Sequence, residues 1–142
     1  YGCDEVINYN IENFKDKVLQ LTNNEGLPAV YDGVGKNTLE DSLGCLKMRG
    51  TMVSFGNASG KLDPVDVGRL IAPKGLYLTR PSIAHYTSTR EELDEASNKL
   101  FEMVKSGSVK VEIFKKYPLK DAANAHQDLE GRKILGPAII IP

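Results

Sequence analysis

Residues 30–43, VYDGVGKNTLEDSL, decide how this chain is read. They run from an apolar strand-like lead-in, through Asp32 and the pair Gly33 and Gly35, into a helix-like segment. A loop that cradles a dinucleotide pyrophosphate has the form G-x-G-x-x-G between a strand and a helix. Here the third glycine position is Thr38, so the fingerprint fails. An acid that holds a ribose in a Rossmann unit needs such a loop roughly 20 residues upstream. Upstream of Asp32 stand only YGCDEVINY and a helical stretch. Asp32 therefore reads as the cap of a turn, and the two glycines as turn formers at a strand end.

Outward from that turn, two periodicities alternate. Residues 5–9 (EVINY) are expected as a strand. Ile11, Phe14, Val18 and Leu21 repeat at helical spacing, stopped by Asn23, Asn24, Glu25 and Gly26. Residues 27–34 read as a buried strand. Asn37 is expected to cap the next helix with Glu40 three residues on, and Leu39, Leu43 and Leu46 form its apolar stripe. Gly50 ends that turn, and residues 51–56 (TMVSFG) are a short strand. Asp63, Pro64 and Asp66 predict a short helix: an acidic cap, Pro in the first helical position, acid in the first turn. It stops near Pro73, Lys74 and Gly75, before a strand over residues 76–81 (LYLTRP). Thr89 and Glu92 form a capping box before a long helix with Leu93, Ala96, Leu100 and Val104 on one face. Residues 109–114 (VKVEIF) alternate as a half-buried strand, 119–131 read as a helix, and 136–141 (GPAIII) as a last strand.

Strand and helix in strict alternation imply right-handed crossovers and a mostly parallel, doubly wound α/β sheet with helices on both faces. Ligands of such sheets sit outside the carboxyl ends of the strands. The expected ends are Tyr9, then Asp32, Gly33 and Val34, then Phe55, Gly56 and Asn57, then Arg80, Pro81 and Ser82. Each has a bland reading beside the functional one. Tyr9 is either a packed aromatic or a ring that stacks on a ligand. Arg80 either meets a phosphate or carboxylate or joins a surface ion pair. His126 reads as a packed or surface histidine, with no acid or nucleophile at a fitting spacing.

Bulk properties exclude several classes. A net charge of -1 leaves no one-signed field to hold nucleic acid or an anionic membrane. The longest apolar run, Ala138 to Ile141, is far short of the roughly 20 residues that span a bilayer. Cys3 and Cys45 lack metal-ligand spacing and are expected as reduced, buried thiols. Neither a nucleophilic triad nor a metal cluster is legible. The chain opens YGCDEVINY without Met, which reads as the middle of a longer polypeptide.

The assembled segments resemble one family. DEVINY, VYDGVGKNTLEDSLGCLKMRGTMVSFGNASG, LYLTRPS, TREELDEASNKLFEMVKSG, YPLKDAANAHQDLEGRK and the final IIIP are similar, in collinear order, to the NADPH:quinone oxidoreductases. These are the zeta-crystallin-like, zinc-independent branch of the medium-chain dehydrogenases/reductases. The resemblance implies that residues 1–142 are a truncated Rossmann NAD(P)-binding domain without its first strands and glycine-rich loop. Residues 108–142 would return to a GroES-like catalytic domain outside this chain. It implies NADPH as cofactor, with contacts from Tyr9 near the adenosine and Val34 beside the adenine. Phe55, Gly56, Asn57 and Ala58 would lie under the nicotinamide, Arg80, Pro81 and Ser82 on its side, and Arg132 near a phosphate. No residue is implied as a general acid and none as a metal ligand. The implied reaction is hydride transfer from NADPH to a quinone or other conjugated carbonyl. Related readings are an enone or enal reductase and a non-enzymatic crystallin-like module. The segment alone is expected to be inactive and to bind NADPH weakly. The family pattern further implies a cytoplasmic homodimer joined through an edge strand of Leu76, Tyr77, Leu78 and Thr79, with no nucleic acid or membrane partner.

Overall fold

In the computed structural model, which describes residues 3–142, the chain forms two compact units that divide between His85 and Tyr86. The first unit is built on three parallel strands in the order β1 (Leu27–Asp32), β2 (Leu46–Ser54) and β3 (Tyr77–Thr79). Val30 pairs with Met52 and Met52 with Leu78, so one row of side chains crosses the sheet. Between Leu27 and Ala29 the register slips, and residues 47–50 of β2 stand opposite Pro28 alone. Arg49 turns there in the left-handed region, at φ 59°.

Helix α1 (Phe14–Leu21) begins where the Asn13 side chain accepts from the Asp16 amide at 3.0 Å. Gly26, at φ 83°, then carries the chain into β1. A Cβ on Gly26 would lie 2.8 Å from the Cys45 carbonyl oxygen, so only glycine fits that approach. Helix α2 (Leu39–Gly44) lays Leu39 and Leu43 against Leu46, Met52 and Leu76, and these five form the buried core. All three leucines of the expected stripe reach it, although Leu46 has already left the helix for β2. The residues after β2 include a wide helical turn at Val67–Ile71 and a tight one at Ala72–Lys74. Lys74 Nζ donates to the Gly44 carbonyl at 3.0 Å, closing the end of α2. Helix α3 (Ile83–Tyr86) follows β3.

The second unit holds α4 (Arg90–Lys105), β4 (Lys115–Pro118), α5 (Ala122–Glu130) and β5 (Ala138–Ile141). Strands β4 and β5 pair in parallel as a separate two-stranded sheet. The Thr89–Glu92 capping box at the head of α4 is present, its side-chain and backbone bonds both made. Tyr117 of β4 is buried, and Asp128 of α5 accepts from its hydroxyl at 2.7 Å.

Parallel strands with intervening helices agree with the α/β expectation, but several elements differ. Residues 5–9 form no strand, and Val6 is 85% exposed. An isolated segment gains nothing from extended backbone without a neighbour to complete its hydrogen bonds. Asn37 does not cap α2: the residue before it is Thr38, which makes no capping bond. Glu40 instead meets the Arg69 guanidinium, Nη1 to Oε2 at 3.1 Å. The helical turn expected behind an Asp63 cap starts three residues later, where Asp66 Oδ1 accepts from the Arg69 amide at 3.0 Å. Asp63 is paired with Lys36. Residues 109–114 form no strand, because their ladder to the last strand begins only after Phe114 donates to the Pro137 carbonyl at 2.8 Å. Among the described residues the strands form two sheets in place of the single one expected from the alternation. The α4 stripe forms on schedule, yet Leu93, Leu100 and Val104 are each more than 40% exposed. Of the two thiols, Cys45 is buried, and burial pushes it up to about 11; Cys3 is exposed, and both are free.

Candidate functional site

The first unit places its polar chemistry at the carboxyl ends of β1 and β2. Asp32 ends β1 and is 5% exposed, which would be costly for a lone carboxylate. It is fully engaged. Oδ1 accepts from the amides of Val34 and Gly35 at 2.8 and 2.9 Å, and Oδ2 from the hydroxyls of Thr38 and Ser42 at 2.7 and 2.8 Å. Burial pushes its pKa up, but these four donors outweigh that and hold it below the usual value. The carboxylate fixes the turn between β1 and α2, and has no lone pair aimed at a ribose. Thr38 and Ser42 were not legible as site residues; their spacing of four on one helix face was the only signal.

The next strand end is stitched to this turn. Phe55 donates its amide to the Asp32 carbonyl at 2.9 Å, and Ala58 donates to Gly33 at 3.3 Å. The Val34 carbonyl accepts twice from Ser59, from its amide and its hydroxyl, both at 2.8 Å. Gly33 and Gly56 nearly touch: a Cβ on Gly56 would lie 2.2 Å from the Gly33 carbonyl oxygen. A Cβ on Gly33 would meet the Phe55 ring at 3.0 Å. Among the described residues, the amides of Gly56 and Asn57 find no acceptor.

Arg80, one residue past β3, reaches back to β2. Its Nη1 donates to the Ser54 carbonyl at 3.1 Å, to Ser54 Oγ at 3.2 Å and to the Gly56 carbonyl at 3.3 Å. With its amide turned to suit its neighbours, Asn57 accepts from Arg80 Nη2 at 3.3 Å and donates to the Gly56 carbonyl at 2.8 Å. Of the residues singled out from sequence, Val34, Phe55, Gly56, Asn57, Ala58 and Arg80 thus come together through named bonds. Ser82 stands just before α3, its carbonyl accepting from the His85 amide at 2.9 Å, with Pro81 preceding it. Tyr9 stacks edge-on against Phe14, ring centroids 6.3 Å apart. Tyr9, Phe14, Val30, Tyr31 and Val34 line an open concavity of about 240 Å³ beside the turn. Arg132 belongs to the second unit, exposed in the turn after α5 at φ 55°.

Two observations bear on whether a dinucleotide fits these residues. The concavity offers aromatic and aliphatic walls to a flat heterocycle. At the β2 end the Gly56 and Asn57 amides, without an acceptor among the described residues, are open to a polar edge. The set fits. Among the described residues no His, Cys, Asp and Glu side chains gather in threes to hold a metal, and no helix is long and apolar enough to cross a membrane.

Parallel strands whose carboxyl ends meet at a rim of glycine-containing turns define a Rossmann-like α/β domain. Residues 1–140 match the family described as zinc-binding dehydrogenase, and the chain belongs to it. It is 48% identical over 143 residues to quinone oxidoreductase 1 of Escherichia coli (strain K12), covering 99% of this chain and 44% of that protein. It is 41% identical over 142 residues to a 2-haloacrylate reductase of a Burkholderia species, covering all of this chain and 43% of that one. The crystal structure of Escherichia coli quinone oxidoreductase complexed with NADPH superposes with a TM-score of 0.92 at 48% identity, over 99% of this chain and 44% of that one. The chain thus spans less than half the length of the relatives it matches.

Proposed function

We propose that the protein to which this chain belongs is an NADPH-dependent quinone reductase, and that this segment supplies one wall of its cofactor site. The observation that carries the reading is the joined rim of Val34, Phe55, Gly56 and Asn57 beside the Tyr9 concavity. It is supported by 48% identity to a quinone oxidoreductase solved with NADPH. In this reading Tyr9 and Val34 flank the adenine, Phe55 to Ala58 bear on the nicotinamide, and Pro81 and Ser82 border its far side. Arg80 acts through the β2 end it braces. Arg132 offers a guanidinium to a phosphate. When bound, the cofactor supplies a hydride; the residues here position it, and none is placed to act as a general acid. We further propose a two-fold dimer through β3, whose three residues are exposed at the sheet edge; Leu76, expected as part of that edge, is buried in the core instead. Monomeric sedimentation at high concentration overturns that part.

The 41% identity to a 2-haloacrylate reductase favours a second reading, in which the acceptor is an activated alkene beside a carboxylate. One assay separates the two. The full-length protein is mixed with NADPH or NADH and with benzoquinones, naphthoquinones or 2-haloacrylates, and loss of absorbance of the reduced nicotinamide is followed. NADPH-dependent quinone turnover supports the first reading and haloacrylate turnover alone the second; consumption of neither overturns both.

A further inference from the structure

Ser59 holds the two halves of the rim at a fixed separation. Its hydroxyl donates to the Val34 carbonyl at 2.8 Å and accepts from the Asn37 amide at 3.0 Å. Its own amide donates to the same Val34 carbonyl at 2.8 Å. One residue of the loop after β2 therefore binds both sides of the turn after β1. Lys36 and Asp63 close the same two loops farther out, 3.3 Å apart but well exposed, so that pair adds little. The Asp32 carboxylate grips the β1 turn from beneath, through Val34 and Gly35. Ser59 is the polar side chain that crosses from one loop to the other at the level of Val34.

The Ser59 hydroxyl spends its donor and one acceptor position within the protein. It is thus not offered to a ligand, whereas the Gly56 and Asn57 amides of the same loop are without an acceptor among the described residues. We propose that Ser59 is a positioning residue for the dinucleotide: it sets the distance between the adenine-side turn at Val34 and the nicotinamide-side loop at Phe55 to Ala58. This rests on the cofactor reading above. A ligand that spans both loops feels the clasp. A ligand that occupies only the adenine side feels it less, because Asp32 also holds that turn, through the Val34 and Gly35 amides.

The test uses the full-length protein and its Ser59→Ala and Ser59→Thr variants, with affinities for NADPH and for adenosine 2',5'-bisphosphate measured by calorimetry. Losing one neutral hydrogen-bonded group is expected to weaken NADPH about three- to tenfold, while the half-ligand changes less than twofold and Ser59→Thr restores NADPH binding. Unchanged NADPH affinity in Ser59→Ala overturns the proposal. So does an equal loss for both ligands, which would mean that the adenine side itself has collapsed. If the unaltered protein binds the half-ligand and not NADPH, the clasp assignment is wrong; if it binds neither, the cofactor reading fails and takes the inference with it.

Discussion

Thr38 Oγ1 donates to Asp32 Oδ2 at 2.7 Å, and the same hydroxyl lies 3.3 Å from the Gly35 carbonyl oxygen. The hydroxyl can therefore reverse its role: donating to Gly35 frees its oxygen to accept. The backbone amides of Val34 and Gly35 have no such choice. This asymmetry separates two substitutions. In Asp32→Asn the amide oxygen can face the two backbone donors while its NH2 donates to the reversed Thr38 hydroxyl. In Asp32→Ala the Val34 and Gly35 amides and the Ser42 hydroxyl lose this acceptor together, and only Thr38 has the Gly35 carbonyl to turn to. We expect Asp32→Asn to cost about 1 kcal/mol and Asp32→Ala about 3 kcal/mol. Chemical denaturation checks this, and equal costs would show that the carboxylate's charge, rather than its acceptor geometry, holds the turn.

Gly56→Ala puts a methyl 2.2 Å from the Gly33 carbonyl oxygen, a backbone atom that cannot swing aside. The two strand ends must separate, at a cost of at least about 2 kcal/mol. Gly68→Ala is the control, since the nearest atom to its Cβ is the Asp66 carboxylate oxygen at 3.5 Å, an ordinary contact. Thermal melting is expected to drop by several degrees for Gly56→Ala and to stay within one or two degrees for Gly68→Ala. A stable Gly56→Ala protein would mean that the rim is looser than its packing implies.

The β1–α2–β2 core was legible because its signals were local. A run of strand formers, an acid and glycine turn, and leucines at helical spacing all point to the same packing, and Leu39, Leu43 and Leu46 are indeed buried together. What was illegible depended on partners. Residues 5–9 have the composition of a strand, but composition does not supply a neighbouring ladder. Asn37 and Glu40 match a capping box, but Asn37 donates its amide to Ser59 and Glu40 faces Arg69 across the fold. Asp32 was legible as a turn former, whereas Ser59 was passed over. Its importance lies in a bond to a residue 25 positions away. The same distance effect applies to Arg80, read from sequence as either a ligand contact or a surface ion pair, whose bonds here run to Ser54 and Gly56.

Arg80→Lys tests that role. An ammonium on a flexible stem cannot reproduce a planar guanidinium set against the Ser54 and Gly56 carbonyls and the Asn57 amide at once. The loop of Phe55 to Ala58 is expected to loosen, and hydrogen exchange at the Ala58 and Ser59 amides to quicken by about tenfold. Exchange at Val30 and Met52, paired within the sheet, should remain slow. Faster exchange everywhere would make Arg80 a general stabiliser instead of a brace for this loop.

In the second unit, three donors surround Asp128. Its carboxylate accepts from the Tyr117 hydroxyl at 2.7 Å and from Lys115 Nζ at 3.0 Å, with Lys133 at 3.5 Å. The Tyr117 hydrogen bond first, then Lys115, draws its pKa from an ordinary 3.8 down to about 2. A carboxylate depressed on folding stabilises the folded state at pH above its unfolded value. That contribution is fully present above pH 3.8 and is lost as pH falls through the folded value near 2. The bonds between β4 and α5 should therefore weaken across that window. Asp128→Asn removes the titrating group and should flatten this part of the acid profile, leaving stability lower but nearly constant. Tyr117→Phe removes the largest cause of the shift while keeping the ring under the Lys115 ammonium, 4.5 Å from its centroid. In that variant the Asp128 titration, followed by carboxyl-carbon NMR, should move up toward its ordinary value. If Asp128→Asn keeps the acid slope of the unaltered protein, the acid sensitivity of this unit comes from another group.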